Sequence, residues 1–185
     1  CFDLCREHGF GRIEAANLGM VGGGGTYHYM LDLDAARTAS LTAIEMCERF
    51  GHDRAALLVQ FCASQLYLDT GELPKAEMHM ERMKALAERT GTRRFIARCL
   101  HHEGRIRLAR GNRRETVTLC RAAMEISRET GTGYCGALIL ATLARATDDA
   151  DERLQALSEG ERMLEQGCVS HNYYEFYMEG MEDAL

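Results

Sequence analysis

Apolar residues recur at intervals of three and four along the chain, the spacing that gathers one face of an α-helix. The stretch "AEMHMERMKALAERTG" puts Ala76, Met80, Met83 and Ala87 on one side. "ETVTLCRAAMEISRETG" does the same with Val117, Cys120, Ala123 or Met124, and Ser127. "ARTASLTAIEMCERFG" aligns Ala36, Ala43 or Ile44, and Cys47. Charged residues fill the other faces. Ala, Leu, Glu and Arg, all strong helix formers, dominate, and β-branched residues are sparse. The pattern predicts an all-α protein.

The helices stop at regular places. "REHGF", "ERFGH", "ERTGT", "RETGT" and "LEQGC" are charged helix ends followed by Gly9, Gly51, Gly91, Gly131 and Gly167, spaced 42, 40, 40 and 36 residues apart. Glycine there suits a left-handed C-terminal cap. A second break falls inside each unit: "LDTGELPKA" with Gly71 and Pro74, "LARGNRRET" with Gly111, and the polar "ATDDADER" (residues 146–153). Pro74 fits the first turn of a helix, where its missing N–H costs nothing. Each unit therefore reads as helix A, a short turn, helix B and a glycine cap. A period near 40 means stacked helical hairpins. The predicted units are residues 10–51, 52–91, 92–131 and 132–167, with a terminal helix at 170–184, in one repeat domain spanning 1–185.

The unit "QFCASQLYLDTGELPKA" carries Ser64, Tyr67 and Ala76 in a small–aromatic–small register that resembles tetratricopeptide repeats. The first unit offers Gly24, Tyr27 and Ala36. The third has Gly104 but Arg107 and Thr116 in place of the aromatic and the small residue, and the fourth fits with a one-residue slip as Ala141, Ala144 and Gly160. The units exceed the family's usual length. The resemblance implies a right-handed α-solenoid of antiparallel hairpins whose small residues let helices A and B approach closely.

In that register the run Gly22–Gly25 of "MVGGGGTYHYM" lies inside a helix A. Each glycine costs about 1 kcal/mol of helix stability relative to alanine, so either a tight or kinked crossing or a break into two helices is expected. A phosphate loop is disfavoured, because Gly25 is followed by Thr26 without the lysine that reaches the phosphates.

The net charge of −6 argues against nucleic acid, whose binders concentrate Lys and Arg. No stretch is long and apolar enough to span a membrane, and no secretory signal opens the chain. The opening "CFDLCREHG" reads as the last turns of a helix without a starting methionine, suggesting a piece of a longer protein. The eight cysteines form no C-x-x-C pair and mostly sit at apolar helical positions, as buried reduced thiols of a cytoplasmic protein do. Cys1 and Cys5 are one turn apart but lack further metal ligands. In "CLHHEG", His101 and His102 point about 100° apart on a helix, so they read as surface or groove histidines rather than a metal pair. No nucleophile–base constellation stands out. Neither a cofactor nor catalysis within this chain is expected.

The resemblance places the second, fifth, ninth and twelfth residues of helix A on a concave face. These are Leu58, Phe61, Gln65 and Leu68 in the second unit, and Arg98, His101, Arg105 and Leu108 in the third; Val21, Gly25 and His28 belong to the first. The implied site is an apolar groove (Phe61, Gln65) running into a basic patch (Arg98, His101, Arg105), suited to a peptide with apolar anchors and a carboxylate. The alternative is that these arginines are solvated or pair with neighbouring glutamates. A chaperone-tail clamp is disfavoured, since Val21, Gly25 and Cys62 occupy its positions and only Arg98 and His102 could serve. A second candidate is a small-molecule pocket near Gly23, Tyr27, His28 and Tyr29.

"SHNYYEFYMEGMEDAL" begins at a plausible Ser170 cap and presents Tyr173, Phe176 and Tyr177 as an apolar face, which would cap the array or support a homodimer. With the preceding "ERMLEQG", this region resembles the C-terminal repeats of bacterial multidomain signalling proteins with an adenylate or guanylate cyclase domain and a STAND ATPase domain. That implies a regulatory arm, acting on a peptide, a protein or a domain in cis. Any cyclase or ATPase activity would lie outside this chain.

Overall fold

The computed structural model describes residues 2–22, 27 and 30–184. Among them are ten α-helices, one short 3-10 turn and no strand. None of these helices is long and apolar enough to cross a membrane. The chain divides into two compact units, Cys1–Gly91 and Thr92–Leu185.

The first unit holds α1 (Phe2–Glu7), α2 (Gly11–Gly22), α3 (Leu33–Phe50), α4 (Asp53–Asp69) and α5 (Leu73–Thr90). Successive helices pack on one another, and α2 also packs on α4. The core is built from small residues: Ala15, Ala43, Ile44, Cys47, Ala55, Val59 and Ala63 form one cluster. Small side chains bring the helices close. A methyl group on Gly19 would sit 2.3 Å from Val59 Cγ2, so α2 meets α4 backbone to side chain. The predicted face of α5 is the buried one: Ala76, Met80, Met83 and Ala87 are at most 1% exposed. Pro74 lies in the first turn of α5. Helix α2 runs into the glycine run as far as Gly22; Gly23, Gly24, Gly25, Thr26, His28 and Tyr29 lie outside the described residues, as does Cys1.

The second unit holds α6 (Arg93–Ala109), α7 (Arg113–Thr130), a 3-10 turn (Thr132–Tyr134), α8 (Gly136–Ala146), α9 (Ala150–Gln166) and α10 (His171–Ala184). Helix α8 is its centre. Every residue of "GALILATLARA" is buried except Arg145, because α6, α7, α9 and α10 all pack against it. A helix apolar on all sides has no face to leave in water.

The forty-residue period has a concrete packing meaning. In the α4–α5 hairpin, Ser64 and Ala76 are both fully buried, and Ser64 Oγ donates to the Ala76 carbonyl at 2.6 Å. Forty residues on, in the α6–α7 hairpin, Thr116 Oγ donates to the Gly104 carbonyl at 3.0 Å. The hydroxyl has moved from helix A to helix B. Thr116, out of place by the sequence register, fits because its partner is glycine and because its hydroxyl is satisfied. Another forty residues on, Ala144 of α8 and Ala156 of α9 are both buried in the core cluster that α6 and α7 also build. Gly160, expected at that crossing, sits instead beneath Phe176 of α10.

A Cβ on Gly104 would lie 3.5 Å from Cys120 Sγ and 3.7 Å from Leu119 Cβ, ordinary contact distances. Gly104→Ala is therefore expected to hold or raise stability, by up to about 1 kcal/mol from helix propensity. Gly104→Leu should cost about 1–3 kcal/mol by overpacking. Urea unfolding followed by circular dichroism checks both.

Gly51 and Gly91 close α3 and α5 in the left-handed conformation (φ 59° and 63°), as expected. Gly131 and Gly167 also have positive φ, but their ψ is near 118°, so the chain leaves α7 and α9 extended rather than curling back. The 3-10 turn and the segment before α10 follow from that exit.

Candidate functional site

The predicted groove residues fall in two different compact units. In the first, α4 carries them. Phe61, Leu58 and Leu68 are half-buried. Gln65 is buried, and its amide Nε2 donates to both carboxylate oxygens of Asp69 one turn on, at 2.7 and 2.8 Å. Nearby, Tyr67 stacks on His79 with ring centroids 5.4 Å apart, and His79 Nδ1 donates to Gln60 Oε1 at 2.7 Å. Of the alternative pocket, Tyr27 is half-buried, while Gly23, His28 and Tyr29 lie outside the described residues.

In the second unit the helical spacing puts Arg98, His101 and Arg105 on one face of α6, three and four residues apart. The structure brings them together, but not as an open patch. Helix α10 lies against them. Arg98 Nη2 is 3.3 and 3.4 Å from the two carboxylate oxygens of Glu175. Arg105 Nε donates to Glu179 Oε1 at 3.0 Å. The other oxygen of Glu179 accepts from Arg145 of α8. Glu175 and Glu179 are one helical turn apart, so one face of α10 lays two carboxylates along a stripe of three guanidiniums. Of the two alternatives, pairing with glutamates is the one that holds, with partners 77 and 74 residues away in the chain.

Burial makes this more than a surface ladder. Arg98 is 2% exposed and Glu179 6%. His101 and His102, expected at the surface or in a groove, are each 1% exposed, which corrects that expectation. His101 reads as a spacer. Arg98 Nη1, which can only donate, lies 3.4 Å from its Nδ1, so Nδ1 carries the lone pair and Nε2–H faces Thr142 Oγ1 at 2.9 Å. Burial first, then the charges of Arg98, Arg105 and His102, hold its pKa well below the usual histidine value. It therefore stays neutral and orients the Arg98 guanidinium.

Helix α10 has a single large apolar anchor. Phe176 packs with Ala137, Ala141 and Leu164, and its ring lies where a Cβ on Gly160 would be, 2.3 Å from Cε2. Asn172, fully buried, donates from Nδ2 to the Tyr134 and Val169 carbonyls at 3.0 Å. Burying one phenylalanine stabilises by about 1.5–3 kcal/mol. Of the expected apolar face of Tyr173, Phe176 and Tyr177, Phe176 is buried within the chain, and Tyr173 and Tyr177 are exposed.

Sequence reasoning found the arginines and missed their partners. The signal was present, since "EFYME" places Glu175 and Glu179 four residues apart with an aromatic beside the first.

Guanidiniums so placed suit carboxylates. Burial, with some help from Glu48, raises the Cys47 thiol to about 11, and burial, with Glu179, raises Cys120 to about 12, so neither forms a thiolate at neutral pH. Among the described residues no group of three or more His, Cys, Asp and Glu could hold a metal ion. The open polar depression at Asn112, Arg113 and Asp148 is bridged by an Arg113–Asp148 ion pair of 3.2 Å.

The buried histidines make stability pH-dependent. Burial, with Arg82, lowers His79 to about 4; burial, with Arg98, lowers His171; and His101 is lowered as above. Unfolding returns each toward its ordinary value of 6.5. Below that value the unfolded chain binds more protons, so stability is full above pH 6.5 and is lost as the pH falls toward 4. The melting temperature should be level from pH 8 to 7 and drop by on the order of 10 °C by pH 5, as scanning calorimetry would show.

No protein-family model matches the chain, and no curated protein matches it.

Proposed function

We propose that this chain is a non-catalytic interaction or regulatory module, a tetratricopeptide-like array of helical hairpins that binds a peptide or a partner domain on its helix A faces. The observation that carries this reading is the forty-residue recurrence of the tight crossing, Ser64 with Ala76 and Gly104 with Thr116, with Ala144 and Ala156 buried at the next repeat. Each unit in such an array is a scaffold whose helix A presents side chains, and the arrangement leaves recognition to those side chains. In the compact unit Thr92–Leu185 they are Arg98, Arg105 and Arg145, groups well matched to carboxylates. The same reading makes the chain a regulatory arm of a larger signalling protein, with its partner supplied in cis or in trans.

A library of acidic, basic and apolar peptides, read by hydrogen-exchange footprinting on the full chain, tests the proposal. Binding that slows exchange in α4 or α6 supports it. Binding confined to α5 and α7, or no peptide bound at millimolar concentration, refutes it.

A further inference from the structure

We infer that α10 is a resident self-ligand of the arginine stripe, and that the stripe's partner is an acidic helix that takes α10's place. This rests on the interaction-module reading. Three observations lead to it. First, α10 is lightly seated: its buried residues are Asn172, Phe176 and Glu179, while Tyr173, Tyr174, Tyr177, Met178 and Met181 are 37–56% exposed. A helix integral to a core buries its apolar stripe; α10 turns most of its own outward and docks through one ring, two carboxylates and the polar contacts of its first turn, where His171 and Asn172 donate to the Tyr134 carbonyl and Tyr173 to that of Leu164.

Second, the sockets it fills are organised by other elements. Arg98 is oriented by His101, which is held in turn by Thr142 of α8. Arg145 comes from the enclosed helix α8. Gly160 of α9 leaves the recess for the ring. A site built in advance loses little on exchanging one occupant for another.

Third, the contacts define the occupant. A carboxylate faces Arg98, an aromatic ring next to it in sequence enters the Gly160 recess, and a second carboxylate one turn on lies between Arg105 and Arg145. The partner is therefore a helix carrying Glu or Asp, an adjacent Phe or Tyr, and a second carboxylate four residues after the first. Helix-in-groove docking through i and i+4 anchors is a general mode of peptide recognition.

The probe is a labelled peptide with the sequence of residues 171–182, and its control carries Gln in place of both glutamates that face the arginines. Binding is measured by fluorescence anisotropy to the full chain and to its Gly160→Ala variant, whose ring recess is blocked to the tethered helix and the free peptide alike, and to Glu175→Lys/Glu179→Lys, which unhooks only the tethered helix. The unhooked chain should bind the probe at least tenfold tighter than the unaltered chain, since the resident helix lowers apparent affinity by the fraction of time it is docked. The Gly160→Ala chain and the Gln control should each lose at least tenfold relative to that. Equal affinities for the unaltered and unhooked chains, or equal binding of probe and control, overturn the inference.

A measurement on the unaltered chain stands beside this. Amides of residues 171–184 should exchange at least tenfold faster than those of α8, and faster still in 1 M salt, which screens the ion pairs. Exchange as slow as in α8 overturns the inference. A dimer in which α10 protection rises with protein concentration also overturns it, by giving the stripe to a second copy. If the probe fails while other peptides slow exchange in α4, this inference falls and the module reading stands. If α10 exchanges rapidly but no peptide of any class binds, both fall.

Discussion

Gly160→Ala is expected to destabilise residues 92–185 by about 2–3 kcal/mol, although alanine is the better helix former. The added methyl would stand 2.3 Å from the Phe176 ring. The ring is 3% exposed and closed in by Ala137, Ala141 and Leu164, so it has nowhere to retreat except outward. Forcing it out costs about 1–3 kcal/mol by overpacking and forfeits much of the 1.5–3 kcal/mol its burial contributes. The helix-propensity gain of about 1 kcal/mol offsets only part of this. Gly104→Ala, the same change in another helix interior, should show the opposite sign. Urea unfolding of the two variants side by side isolates packing from propensity. Equal effects would mean that Phe176 is not held against α9.

Arg98→Glu is expected to cost about 3–5 kcal/mol. Removing one partner of a buried pair leaves the other without compensation, and here the new carboxylate also faces Glu175. Arg98 is 2% exposed, so water cannot screen the repulsion where it arises. The instructive comparison is Arg98→Met with Glu175→Leu, which removes both charges and keeps the volume. Buried pairs often break even against apolar isosteres, so this double change should leave stability within about 1 kcal/mol of the starting chain. A large loss from the single change and a small one from the double would show that the pair sets which carboxylate sits there more than it holds the fold together. Thermal unfolding of the two variants and the parent chain provides the check.

Much of the fold was legible in the sequence because its signals are local. Helical spacing picked out the buried face of α5 residue by residue, from Ala76 to Ala87. The glycine period located the ends of α3 and α5. The crossing register was harder. Thr116 looked too large until the structure paired it with Gly104, since the two residues share one space and neither can be judged alone. In the fourth unit Gly160 faces Phe176 of α10, a neighbour its own hairpin does not announce. The site was half legible. Arg98 and Arg105 announced themselves by spacing on a single helix, but what faces them depends on where a distant helix docks. Two clues existed. "GALILATLA" is apolar on every side and so requires a cover on every side, and "EFYME" carries two acids one turn apart. Tyr173 and Tyr177 are exposed within the chain, and an aromatic ring with a polar tip can remain in water. Tyr173 shows how: its hydroxyl donates to the Leu164 carbonyl at 2.7 Å while its ring stays exposed.

The most direct test of the pairing between the arginine stripe and α10 is a double-mutant cycle on Arg105 and Glu179. Arg105→Ala, Glu179→Ala and the double variant would be unfolded in urea at 50 mM and at 1 M salt. The account predicts a coupling of about 1–2 kcal/mol at low salt, smaller at high salt as the ion pair is screened. Coupling within error of zero at both salt concentrations would contradict it.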